Sequence, residues 1–307
     1  MRIAVLGLGG VGGLIGGALT RVNKDTSFCV RGAHRDAILK DGLRVDSALL
    51  GNFIARPLMA EEDASKIGVV DALIVACKGN ALKAACAAAV PMIGERTLVL
   101  PLLNGLLVSE SMEKLLPPCD LADGIIHVFS HIEGPGHVVQ EAGSATIKMG
   151  MRQGGLRPPA MIELSRILSD ASIPVLLPDD IALESWKKFT LMCGNSVIFG
   201  LYDGPASVVR ADPAHETVCR AVWQELVDVA AAKGVALPGD LIDRYVAEFE
   251  GNPPDTVTSL YRDLRNGKAP EDTELAHVVG RLVALGRQCG AQAPLHEKMF
   301  EKFGGRL

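Results

Sequence analysis

Short apolar runs and amphipathic stretches alternate through the first half of the chain. RIAVL (2–6), SFCV (27–30), ALIVA (72–76) and TLVLPLLN (97–104) have the length and density of buried strands. Helical spacing follows the first of these through about Arg21, the second from about His34, and the third in the alanine-rich NALKAACAAAV. Alternation of this kind predicts a parallel sheet with helices on both faces. From about residue 121 the spacing changes. LADGIIHVF, HVVQ and SATIKM predict consecutive antiparallel strands separated by glycine and proline turns, and IPVLL (173–177) is the last strand candidate. Beyond Pro178 the strand pattern ends and helical periodicity runs over 181–199, 212–233, 239–249 and 274–289, with Asp212–Pro213 marking a helix start. The expected division is an α/β domain over 1–178 and an all-helical domain over 179–307, hinged at Pro178–Asp180.

Composition narrows the functional classes. A chain of 307 residues is long for one core, which agrees with two domains. A net charge of −5 without a basic run gives no footprint for nucleic acid. Glycines break the N-terminal apolar run before it reaches signal-peptide length, and no stretch of about 18 apolar residues predicts a membrane span. The seven cysteines (29, 77, 86, 119, 193, 219 and 289) include no CxxC pair, which suits reduced thiols in a cytoplasmic protein. Cys77 is read as a core filler. His127, His131 and His137 lie close in sequence but on strand and turn, so no metal site is expected.

Residues 7–12 read GLGGVG, directly after the first strand and at the opening of a helix. That context makes the GxGxxG spacing a nucleotide-binding signal and the first domain Rossmann-type. Gly7 permits the turn, Gly9 lets backbone approach a pyrophosphate, and Gly12 allows close helix–strand packing; Leu8, Gly10 and Val11 complete the loop. The second strand ends SFCVRGAHRDA, without the acid that would accept the ribose hydroxyls of NAD. Arg31 stands at the tip, followed by His34 and Arg35, and a guanidinium suits a 2′-phosphate, so NADP is the expected cofactor.

The helix over 184–200, ESWKKFTLMCGNSVIFG, sets a second question. At about 100° per residue, Lys188 shares a face with Met192, Asn195 and Phe199, while Trp186, Thr190, Cys193 and Val197 line the opposite one. A helix apolar on both sides is buried, so Lys188 is either a cation that snorkels to water or a functional cation in a cleft.

The run RGAHRDAILKDGLRV after the glycine loop, then CKGNAL, LPLLNGL and WKKF in that order, resembles the ketopantoate reductase family over essentially the whole chain. The resemblance implies NADPH-dependent reduction of a 2-oxo acid, normally 2-dehydropantoate to pantoate on the route to coenzyme A, in a cleft between the two domains. By motif it makes Lys78 a cofactor contact, Asn104 a contact to nicotinamide and substrate, and Lys188 the catalytic lysine. TSLYRD supplies Ser259 as a substrate contact, four residues before Asp263. Glu274 is the matching catalytic acid, with Glu271 as competitor because GKAPED leaves three extra residues in the loop. One departure stands out: the asparagines expected one and two turns beyond the lysine are Met192 and Ser196, leaving Asn195 as the substitute substrate contact. The alternatives are a related reductase for another 2-oxo acid or carbonyl compound, and a non-catalytic NADP-binding sensor. A homodimer through the helical domain is compatible with the sequence.

Overall fold

The computed structural model describes residues 1–152 and 154–306. The chain divides into two compact units, Met1–Leu103 with Leu107–Ile181, and Asn104–Leu106 with Ala182–Leu307. The short Asn104–Leu106 segment thus counts with the helical unit, although chain order alone puts it in the first domain.

The first unit begins β1 (Ile3–Leu6), α1 (Gly10–Thr20), β2 (Thr26–Cys29) and α2 (Gly32–Asp41). It continues through β3 (Leu43–Ser47), β4 (Gly51–Ala55), β5 (Ala60–Glu61), α3 (Ala64–Ile67), β6 (Ala72–Val75), α4 (Leu82–Ala89) and β7 (Leu98–Pro101). After α5 (Val108–Glu113) come β8 (Asp120–Ile126), β9 (Phe129–Gly134), β10 (His137–Ala142), β11 (Ile147–Met151), α6 (Pro159–Asp170) and β12 (Val175–Leu176). Eight strands form one sheet in the order β12-β11-β8-β7-β6-β1-β2-β5. Its centre, β7-β6-β1-β2, is parallel and every residue of those strands is buried, the burial that continuous apolar runs demand.

The segment after 121 departs from the expected run of consecutive strands. LADGIIHVF is not one strand: β8 ends at Ile126 and joins the large sheet, antiparallel to β11, while β9 starts at Phe129 and joins a second sheet of order β4-β3-β10-β9. The chain changes sheets at His127–Val128, where Gly143 approaches so closely that a Cβ there would lie 2.7 Å from the His127 oxygen. Apolar periodicity gives strand length but not partner, and here neighbouring strands pair with distant ones, β10 running parallel to β3.

The small sheet also sets the surroundings of α1, which lies between both sheets with its glycines divided into two stripes. Added methyls on Gly12 and Gly16 would strike Gly7, just past β1, and Phe28 of the large sheet, whereas those on Gly10, Gly13 and Gly17 would strike Ser130, Val138 and Val45 of the small one. Close packing on both sides explains a helix that carries so many residues of poor helix propensity.

The second unit is helical: α7 (Ile181–Tyr202), α8 (Ala206–Arg210), α9 (His215–Ala232), α10 (Leu241–Glu250), α11 (Ser259–Arg265), a π-helical turn at Ala276–Gly280, α12 (Arg281–Cys289) and α13 (Pro294–Lys302). The helix read from Asp212 begins three residues later, because Asp212 Oδ1 holds a turn by accepting from Ala214 N at 2.9 Å. At the middle of this unit, α7 buries Trp186, Cys193 and Val197. Gly194 lets the Trp223 indole of α9 lie where a methyl group would be 2.3 Å away, and Gly200 does the same for Met299 of α13. Tyr245 of α10 donates to the Lys187 carbonyl at 2.7 Å. Glu225 of α9 closes the start of α13, accepting from Leu295 N (2.8 Å), His296 N (3.2 Å) and His296 Nδ1 (2.7 Å). Among the described residues no helix is long and apolar enough to cross a membrane.

Candidate functional site

The glycine turn has the stereochemistry of an anion cradle. Gly7 has φ +91°, which favours glycine, and a Cβ there would press 3.0 Å from the Ala76 carbonyl. A Cβ on Gly12 would lie 1.9 Å from the Gly7 oxygen, so the helix seats directly on the turn. Gly9 is the exception, because a Cβ there would meet nothing within 4 Å. No side chain caps the Gly9 end of α1 and no acid sits in its first turn. Uncapped amides, the positive end of the helix dipole and open space above Gly9 fit the pyrophosphate of a dinucleotide. Leu8 is buried beneath this turn, while Gly10 and Val11 are half-buried in the first helical turn.

Beyond β2, Arg31, His34 and Arg35 separate into different roles. Arg31 is exposed at the N-cap of α2 and has no hydrogen-bond or ion-pair partner among the described residues. Arg35 is committed elsewhere: its Nε donates to the Ala60 carbonyl at 3.1 Å, and its guanidinium lies 3.5 Å from both Asp36 and Glu61. His34 is turned inward, and its Nδ1 accepts from Gly136 N at 2.9 Å. Of the three, Arg31 alone is left to meet a ligand phosphate. Lys78 is exposed at the start of the 3-10 turn Gly79–Ala81.

In the second unit the sequence-predicted residues converge. Lys188 Nζ donates to Asn104 Oδ1 at 3.1 Å, and Asn104 Nδ2 donates to Glu274 Oε2 at 3.2 Å. The amide thereby uses its acceptor on the cation and its donor on the carboxylate, which fixes its orientation. Glu274, not Glu271, joins this chain; Glu271 is exposed on the 3-10 turn Pro270–Asp272. Backbone torsions after Asn104 are unusual, with φ +136° at Gly105 and +56° at Leu107, so a strained turn presents the amide. Burial pushes the Lys188 ammonium down to about 8, and the nearby Glu274 carboxylate pulls the other way. Lys187 belongs to a different environment, paired with Glu184 at 2.6 Å.

Other candidates lie apart from that chain of contacts. Met192 and Asn195 are half-buried on the Lys188 face, and the Asn195 Oδ1 is buried without a partner among the described residues. Ser259 is exposed as the first residue of α11 and is not the cap of that helix. Thr258 is the cap, its hydroxyl accepting from Tyr261 N at 3.3 Å and from Ser196 Oγ at 3.0 Å. This tie between α7 and α11 escaped sequence reasoning, since adjacent Thr258 and Ser259 are equally good caps until it is known which one faces α7. The inward turn of His34 is likewise a tertiary feature, seen only through the bond its ring accepts from Gly136 N. His131 pairs with Glu133 at 3.2 Å and His137 with Asp46 at 2.8 Å. Among the described residues no group of three or more His, Cys, Asp or Glu side chains could hold a metal ion.

The profile described as ketopantoate reductase PanE/ApbA matches residues 3–154, and its C-terminal counterpart matches residues 180–305. An uncharacterised oxidoreductase of Bacillus subtilis, YkpB, is 25% identical over 300 residues, covering 98% of this chain and 97% of its own. A 2-dehydropantoate 2-reductase of Mesorhizobium japonicum is 24% identical over 307 residues, with 92% of each chain covered. The crystal structure of a PanE/ApbA family ketopantoate reductase from Ralstonia eutropha superposes with a TM-score of 0.87 at 26% identity, covering 99% of this chain and 97% of that one. With both halves matched in order, the chain belongs to the ketopantoate reductase PanE/ApbA family of oxidoreductases.

Proposed function

We propose that the protein reduces a 2-oxo acid to the 2-hydroxy acid with NADPH, and that its substrate is 2-dehydropantoate, giving (R)-pantoate for coenzyme A synthesis. In this reading residues 1–178 bind the nucleotide and residues 179–307 supply the catalytic side chains. The observation that carries it is the Lys188–Asn104–Glu274 chain, a half-buried cation held by an amide that a carboxylate orients in turn. Bound NADPH supplies the hydride to the carbonyl carbon. Lys188 donates a hydrogen bond to the carbonyl oxygen, stabilises the negative charge that develops there, and passes its proton to the alkoxide. With its proton affinity reduced by burial, the ammonium is a better acid than an exposed lysine. Asn104 holds the amine in place, and Glu274 helps organise the lysine and the substrate hydroxyl. Arg31 takes the 2′-phosphate of the cofactor and Lys78 contacts the cofactor. Ser259 and Asn195 contact the substrate.

A second reading keeps the chemistry and changes the acid. Met192 occupies the Lys188 face one turn on, and a thioether cannot hydrogen-bond a substrate hydroxyl as an amide does. Ser196, another turn on, has a single proton to give, shared between the Met192 carbonyl at 2.8 Å and the Thr258 hydroxyl at 3.0 Å, so it is committed within the protein. Both features favour a 2-oxo acid with an apolar side chain. NADPH oxidation measured with 2-dehydropantoate and a panel of alkyl and aryl 2-oxo acids decides between them. The highest kcat/KM on 2-dehydropantoate is the expected result, and a strong preference for an unhydroxylated acid reverses the order. Tight NADPH binding without turnover of any panel member overturns both.

A further inference from the structure

The residue beside the nucleotide cradle that the proposed function leaves without a task is His34. It lies three residues into α2 from Arg31, at a junction of three segments. Its Nδ1 accepts from the backbone N–H of Gly136, in the turn between β9 and β10. That turn packs on α2, since a Cβ on Gly136 would come within 2.8 Å of Ala37. β9 in turn bears on the first residue of α1, where a Cβ on Gly10 would come within 2.1 Å of the Ser130 oxygen. The third segment is the glycine turn itself, whose Leu8 carbonyl favours the protonated ring although burial outweighs it.

An acceptor bond at Nδ1 fixes the tautomer: in the neutral ring the proton sits on Nε2. That Nε2 is buried and makes no full hydrogen bond among the described residues, the Leu8 carbonyl being the group that acts on it. A buried polar atom of this kind is retained at a cost, and a ligand phosphate cannot reach it, so the ring is not a direct contact to the cofactor. Its connections run instead between the turn that would hold the pyrophosphate and the helix whose cap is Arg31.

We propose that His34 is a positioning residue for the nucleotide: through Gly136 and the Leu8 side of the glycine turn it sets the pyrophosphate cradle relative to the α2 terminus. This rests on the reading of the glycine turn as a dinucleotide site. Because the pyrophosphate is common to both cofactors, loss of His34 weakens NADPH and NADH alike, whereas loss of Arg31 weakens only the one with a 2′-phosphate.

Equilibrium titration of nucleotide fluorescence with the apo protein tests this without relying on turnover. For His34→Ala the dissociation constants of NADPH and NADH are both expected to rise about tenfold, the scale of one lost buried hydrogen bond. His34→Asn, which keeps an acceptor for Gly136, should recover most of the loss, while His34→Gln should not. Arg31→Ala should raise only the NADPH constant. Unchanged constants in His34→Ala, even with a lowered melting temperature, overturn the proposal and leave His34 a stabilising residue. A loss confined to NADPH overturns it too, making His34 a phosphate reader. If His34→Ala does not fold, the Asn and Gln variants carry the comparison, and equal, wild-type affinity in both overturns it. Failure of the unmodified protein to bind either nucleotide instead removes the reading of the glycine turn.

Discussion

Lys188 is chemically distinct from its neighbour although the two share a sequence context. Lys187 meets Glu184 in a partly buried ion pair one helical turn away. Lys188 is drawn off the surface to Asn104, and burial lowers its proton affinity to about 8. With the protonated amine as the acid, as proposed, reduction should be fastest below that value and decline as pH rises through about 8. A pH–rate profile at saturating nucleotide checks the sign, and a rate that climbs above pH 8 would remove the lysine as proton donor. Lys188→Ala should lower kcat by roughly 100-fold or more, the range of general acid catalysis, while leaving the NADPH dissociation constant nearly unchanged.

Among the elements, α1 and α7 share a design in which glycine clears the way for a neighbour. Gly194 of α7 gives its space to the Trp223 ring, which is fully buried against Phe249 and Tyr245, so neither side can yield cheaply. Gly194→Ala should cost about 1–3 kcal/mol by overpacking, read as a lower melting temperature, despite the better helix propensity of alanine. The sequence revealed α7 as a buried helix and placed Lys188, Asn104 and Glu274 as candidates through the motifs around them. It did not reveal the small sheet, because the pairing that joins its two hairpins, β3 with β10, brings together segments about ninety residues apart. Nor could spacing separate Thr258 from Ser259, or show that His34 turns inward, since both depend on tertiary contacts. The five-residue α8 is too brief for periodicity to register, and within the helical stretch read over 274–289 spacing could not show that Ala276–Gly280 is a π-helical turn.

At the scale of the molecule, stability and nucleotide binding depend on different groups. His296 is fully buried in the second unit, where burial lowers its proton affinity and the Glu225 carboxylate opposes the shift. A histidine whose folded pKa lies below its unfolded value of about 6.5 takes up fewer protons folded than unfolded, so its contribution is complete above that pH and is lost as pH falls below it. Denaturant melts between pH 7.5 and 5 should therefore show stability falling with acid, with a shallower fall in His296→Phe. The first unit offers the complementary separation. Gly9 has φ −73°, a conformation open to any residue, and a methyl group there would occupy empty space rather than packed core. Gly9→Ala should thus melt like the parent protein and yet bind dinucleotide far more weakly. Every neighbouring glycine of the loop is answerable to the fold, so this one carbon of unfilled room is where the protein can be blinded to its coenzyme while keeping its shape.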